Sequence, residues 1–323
     1  MTMLAAERWY DRSYPLMRLE YSPYQAGIPD LTEDDYLDFR GTVLGYEAFT
    51  YDWDNVVDAA RKADVLFLGN SLMVYSFRPQ YFQPWLDKLG LRGFSMAFIG
   101  SGGYMPLWVI RRYDLHPKMV VISDERFLEL NRTLFEEKAR GEGAWNAFKH
   151  YYGVTIKWLV QKHLHQLVPP LRDFTDPAPF EVIYRSRRDG APIFAYALTE
   201  GKTLTRLPGP QPSEAVKKWI DQVLPQDRIT SAEFLREMDK RGILVVLTVL
   251  QDNASFAGYF LSKRLNEENR RIFVEAMRPD LTSQVGPHID AQSSKRLMDD
   301  VMPRILALPQ VQALARKPAR SKP

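Results

Sequence analysis

Three short tracts carry residue types that could do nucleophilic chemistry. The first is Gly69-Asn70-Ser71-Leu72, directly after the apolar run Asp64-Val65-Leu66-Phe67-Leu68. A serine at the C-terminal end of a buried parallel strand, just ahead of a helix, sits where open α/β sheets place their ligands. The preceding glycine permits a tight turn. That turn would leave the hydroxyl exposed and the next backbone amides free to bind an anion. The same residues also suit an ordinary helix start, with no chemistry attached. The second tract is Gly100-Ser101-Gly102-Gly103, which follows a second strand pattern. Glycines there let the backbone approach a ligand, and their amides can hold an oxyanion; such clusters also form plain turns. The third is Gly286-Pro287-His288-Ile289-Asp290, shortly before the last helix pattern. A serine needs a base to become a useful nucleophile, and histidine has the fitting intrinsic pKa. Of the 5 histidines, His288 alone falls in a loop at the mouth of the expected sheet.

Other chemistry is poorly served. Asp124 and Glu125 form an acidic pair or a solvated loop. His163 and His165 lie two apart on a helix pattern and face different ways, which excludes a shared metal site. Asp299 and Asp300 belong to a helix surface. The chain has no P-loop, no GxGxxG after a strand and no HExxH. It has 0 cysteines, so disulfides, thiolate nucleophiles and Cys-ligated zinc are excluded. Acyl chemistry on a serine requires no metal and no organic cofactor, and none is expected.

The elements that must position these tracts alternate in type. Strand patterns cover residues 64–69, 92–98 and 119–123, with helix patterns between them, one over 79–89 stopped by Gly90 and one through Leu107, Val109 and Ile110. The alternation resumes with a helix over 231–241 stopped by Gly242, a strand over 243–250, a helix over 264–277 and a last helix over 291–308. Strand, turn and helix in this order predict an α/β fold, a three-layer α/β/α arrangement with a parallel sheet covered on both faces.

The expected organisation has five parts. Residues 1–57, rich in Tyr, Pro and acidic residues, form an N-terminal arm of short helices packed on the core. Residues 58–129 are the first half of the core and 229–310 the second. Residues 130–228 are an inserted cap, with a helix pattern at 154–167, β-like pieces at 180–184 and 193–197, and the proline-rich run Pro208-Gly209-Pro210-Gln211-Pro212. A structureless loop of that length would be improbable. Residues 311–323 are a disordered basic tail. No internal repeat is present.

Composition sets the outer bounds. At 323 residues the chain can form one large α/β domain or a core with a sizeable insertion. With 45% hydrophobic and 26% charged residues, global disorder is excluded. A net charge of +3, with scattered Lys and Arg, is too slight to argue for nucleic acid. No stretch approaches the ~20 apolar residues that span a bilayer, and residues 1–24 carry charges throughout with no signal-like apolar region. Either the native protein is soluble or a membrane anchor lies outside this sequence.

Taken in order, Ser at the first strand, Gly after the second and His just before the final helix, the tracts resemble the SGNH/GDSL-like hydrolase superfamily, over roughly residues 58–126 and 230–308. The run Ala63-Asp64-Val65-Leu66-Phe67-Leu68-Gly69-Asn70-Ser71 looks like the first family block, with Asn70 where the name-giving motif has Asp. The resemblance implies Ser71 as nucleophile, His288 as base, and the amides of Ser71 and of Gly102 or Gly103 as oxyanion donors. It is nearest to the branch of envelope polysaccharide O-acetylation and teichoic-acid alanylation proteins, which implies an acylated carbohydrate substrate and a periplasmic or envelope location. Two blocks depart from the pattern. The third strand runs into Ser123-Asp124-Glu125-Arg126 where the family has Asn, leaving Arg126 as a stand-in or a hole of two donors. Val285 stands where the family has the Asp that orients the histidine. Asp280 or Asp290 could take that role, although Asp290 also suits the N-cap of the last helix. A catalytically silent binding or assembly module on the same fold is the alternative.

Overall fold

The computed structural model describes residues 35–39, 49, 56–97, 104–123, 182–186, 188–194, 203–204, 211–250, 257–269, 271–285 and 288–315. The chain divides into two compact units.

The larger unit comprises residues 57–135, 189–191 and 198–323. Its centre is a five-stranded parallel sheet of β2 (Val65–Gly69), β3 (Gly93–Ala97), β4 (Met119–Ser123), β8 (Leu244–Leu250) and β9 (Ile272–Ala276), in the order β3-β2-β4-β8-β9. β2 and β4 are buried along their whole length. Such unbroken apolar runs are what a central parallel strand, covered on both faces, requires. After α1 (Val56–Arg61), which precedes β2, helices α2 (Ser71–Ser76), α3 (Pro79–Asp87) and α7 (Ala291–Leu306) pack together on one face. On the other face, α5 (Glu214–Arg241) and α6 (Ala257–Asn269) pack on β8, and α4 (Tyr104–Arg112) is ion-paired to α5. This is the expected three-layer α/β/α fold. Right-handed crossovers send the β2-to-β3 and β3-to-β4 connections to opposite faces. The sheet therefore reverses direction between β2 and β4, and the crevice outside their C-terminal ends is the usual ligand site of such sheets. Part of the outer edge of β3 is covered by residues 189–191: Ser95 N–H donates to Asp189 O at 2.8 Å.

Four elements differ from the sequence expectation. β9 replaces the end of a helix expected over 264–277: α6 stops at Asn269, and the β-branched and aromatic Ile272-Phe273-Val274 pair in parallel with β8. α5 begins at Glu214, so the boundary expected at 228 falls inside a helix. Ser213 caps it, its hydroxyl accepting from Val216 N–H at 3.4 Å, and its first half is too polar, with Pro225 inside, to show a clean helical stripe. The chain does not become a tail at 311. Helix α8 (Pro309–Ala315) continues it, anchored by buried Val311 and Leu314 three residues apart.

The fourth difference concerns the smaller unit, residues 1–56, 136–188 and 192–197. The N-terminal arm, expected to be helical, supplies β1 (Asp35–Phe39) to an antiparallel three-stranded sheet with β5 (Val182–Ser186) and β6 (Pro192–Phe194). Asp35-Tyr36-Leu37-Asp38-Phe39 has its aspartates three apart and lacks the alternation by which a strand is read from sequence. The helix pattern over 154–167 lies outside the described residues. Among the described residues no helix is long and apolar enough to cross a membrane.

Candidate active site

Ser71 opens α2 at the C-terminal end of β2, beside the point where the sheet reverses direction. Its position depends on Gly69, whose φ is +154°. A Cβ at Gly69 would lie 2.8 Å from Met73 Cβ and 3.2 Å from Ser123 Cβ, so the chain can turn from strand to helix here only without a side chain. Asn70 caps the helix, its Oδ1 accepting from Leu72 N–H at 2.9 Å. That is the capping role an Asp in the same place would also fill.

His288 comes from the opposite end of the chain. It lies on β11 (His288–Ile289), which pairs antiparallel with β10 (Leu281–Val285). β10 pairs in turn with β7 (Thr203–Leu204). This places His288 on a short strand rather than in a loop. Its Nε2 lies 2.8 Å from Ser71 Oγ. For Nε2 to accept the serine proton, the neutral ring must carry its own proton on Nδ1.

Three links join α2 to the elements that carry His288. The Tyr75 ring stacks on the imidazole, with centroids 4.3 Å apart and planes at 15°. The buried Arg78 guanidinium donates from Nε to Tyr75 O at 3.0 Å and from an Nη to Ile289 O at 3.3 Å. The Ser294 hydroxyl, on α7, donates to Ser76 O at 2.7 Å. Sequence reasoning missed Tyr75 and Arg78. The signal was there in part: Tyr75 is four residues from Ser71, hence on the same helix face, and an arginine just past a short helix suits its unpaired carbonyls.

The two candidate orienting acids, Asp280 and Asp290, are each engaged by another partner. Both oxygens of Asp280 are held by Arg278, at 2.8 and 2.9 Å, and this pairing keeps its carboxyl below the ordinary carboxylate range. Asp290 caps α7, accepting from Ser293 N–H at 2.7 Å. Val285, at the position the resemblance reserves for an acid, is the ladder partner of His288 and offers no acceptor on its side chain. Ser123, at the end of β4, is fully buried, and its hydroxyl has no hydrogen-bond partner among the described residues. The remaining candidates, Gly102, Gly103, Asp124 and Arg126, lie outside the described residues.

No family model matches the chain. No curated protein matches it. Among solved structures it is similar to a GDSL-like lipase from Bacteroides thetaiotaomicron, at 13% identity and a TM-score of 0.38, over 80% of this chain and 98% of that one. It is also similar to a candidate acylhydrolase from Bacteroides fragilis, at 12% identity and a TM-score of 0.39, over 82% of this chain and 98% of the other. Both overlaps are too loose to bear on what this chain does, and its architecture stands on its own sheet order.

Proposed function

We propose that the chain is an SGNH-like serine esterase or O-acyltransferase working through Ser71 and His288. The observation that carries this reading is the 2.8 Å contact between Ser71 Oγ and His288 Nε2 at the point where the sheet reverses direction. Ser71 Oγ attacks the acyl carbonyl while its proton passes to Nε2. The tetrahedral oxyanion is held by the Ser71 amide, with Gly102 or Gly103 supplying the second donor. As the intermediate collapses, the C–O bond to the alcohol breaks and the alcohol leaves with the proton from Nε2. Water or a sugar hydroxyl then attacks the acyl-enzyme, giving up its own proton to Nε2, and Ser71 is released with that proton returned. Hydrolase and transferase share the first half-reaction and differ only in this acceptor. The substrate class, an acylated carbohydrate or envelope glycan, follows from the resemblance of the three sequence blocks.

A second reading is a silent module that keeps the fold for binding or assembly. What favours it is Val285 across from His288, together with the commitment of Asp280 to Arg278. Hydrolysis of p-nitrophenyl acetate by the wild type, Ser71→Ala and His288→Ala separates the two. The esterase reading expects Ser71-dependent turnover that falls by roughly 10³-fold or more in either variant. A wild type that neither turns over an ester nor transfers acetyl to a glycan acceptor would leave the silent module standing.

A further inference from the structure

We propose that Tyr75 and Arg78 form a positioning pair that holds the His288 imidazole against Ser71 Oγ. The inference rests on the Ser71–His288 chemistry proposed above. Tyr75 is only 3% exposed, so the plate under the imidazole is itself fixed. Because Ser71 and Tyr75 are four apart on α2, one helix face presents both the hydroxyl that meets Nε2 and the ring that sets the imidazole plane. A rotation of the imidazole out of that plane would lose the stack and the 2.8 Å contact together.

Arg78 fixes the same assembly through the backbone. It is 6% exposed, and its Nε and an Nη reach the carbonyl of the residue beneath the imidazole and the carbonyl of the residue that follows His288. The planar guanidinium fork holds two acceptors in a set geometry, which an ammonium on a flexible stem does not. The pair therefore fixes the plane and the place of the ring. Selecting the Nδ1–H tautomer and stabilising the imidazolium are separate tasks, those of a carboxylate.

The test uses the full chain with Tyr75→Leu, Tyr75→Phe and Arg78→Lys, each first shown to melt cooperatively. The first readout is the proton NMR signal of the His288 ring, assigned by its loss in His288→Gln. The stacked tyrosine should hold it upfield of an exposed histidine. Tyr75→Leu and Arg78→Lys should move it toward the exposed position, and Tyr75→Phe should keep it upfield. The second readout is kcat and KM for p-nitrophenyl acetate. Tyr75→Leu should lower kcat about 10–100-fold, as a small misplacement of a catalytic group does, with KM within about twofold. Tyr75→Phe should recover most of that loss, and Arg78→Lys should lie between. Unchanged ring signals, or unchanged kcat in Tyr75→Leu and Arg78→Lys of an active enzyme, overturn the positioning pair and leave the esterase reading intact. If the wild type shows no Ser71-dependent turnover, the esterase reading falls, and the ring signal alone then decides for or against the pair. Should Tyr75→Leu fail to fold, Arg78→Lys carries both readouts.

Discussion

Ser71 is placed by the residue two before it. Gly69 adopts a backbone conformation open mainly to glycine, and the space beside it is already filled by Met73 Cβ on α2 and Ser123 Cβ on β4. A Cβ attaches directly to the backbone, so neither neighbour can swing away as the end of a flexible side chain would. Gly69→Ala should push α2 away from the sheet. The expected cost in stability is about 1–3 kcal/mol, in the range of overpacking a close contact, and Ser71 should leave its contact with His288. Urea unfolding read alongside ester hydrolysis checks both parts, and an unchanged midpoint with unchanged turnover would refute the account. Asn70 shows the converse, a position where identity matters less than chemistry: its capping oxygen does what an aspartate oxygen would do in the same place.

At the scale of elements, the site joins the start of one helix to a hairpin that leads straight into another. Asp290 ends that hairpin and starts α7: its N–H donates to Thr282 O at 3.0 Å, and its carboxylate caps the helix. If capping is its whole role, Asp290→Asn should keep both stability and kcat, since asparagine caps as well as aspartate. Asp290→Ala should cost about 1 kcal/mol. Thermal melts and kinetics on the two variants separate a cap from a hidden orienting acid, because only an acid would lose kcat on becoming an amide. The same elements show what was legible in the sequence. β2, β4 and β8 were, because strands buried on both faces read as unbroken apolar runs. Ser71 was, because it follows a turn-forming glycine at the end of such an element, and His288 was, because it follows Gly286-Pro287 just ahead of the last helix pattern. β9 was not, because an edge strand with a partly exposed burial pattern blends into the helix before it. The Arg78 link was not, because it joins residues 211 apart through main-chain carbonyls, which carry no residue signature.

Across the whole molecule the parallel sheet separates chemistry from scaffolding. Ser71 lies at the C-terminal ends of the strands, while the C-terminal ends of α4 and α5, which lead into β4 and β8, lie at the other end. There Arg111 pairs with Glu233 at 2.7 Å and with Glu237 at 3.2 Å, and Arg241 bridges Glu237 at 2.7 Å and Asp114 at 2.6 Å. Glu237 is the centre of this network, with its side chain 11% exposed. Burial alone would raise its pKa, but the hydrogen bonds from Arg241 and Arg111 outweigh that and hold its carboxyl below the ordinary value. A carboxyl whose folded pKa is depressed contributes stability that is present above its unfolded pKa, about 4.3 for glutamate, and is lost as pH falls through the lower folded value. Glu237→Gln should therefore cost about 1–3 kcal/mol at pH 7, the range for hydrogen bonds to charged groups. The gap to wild type should hold down to about pH 5 and close below that. Because the network stands at the far end of the sheet from Ser71, kcat should not change. Denaturant unfolding from pH 3 to pH 7 measures the gap. A gap that stays constant to pH 3 would mean that Glu237 keeps α4 and α5 together by its shape and not by its charge.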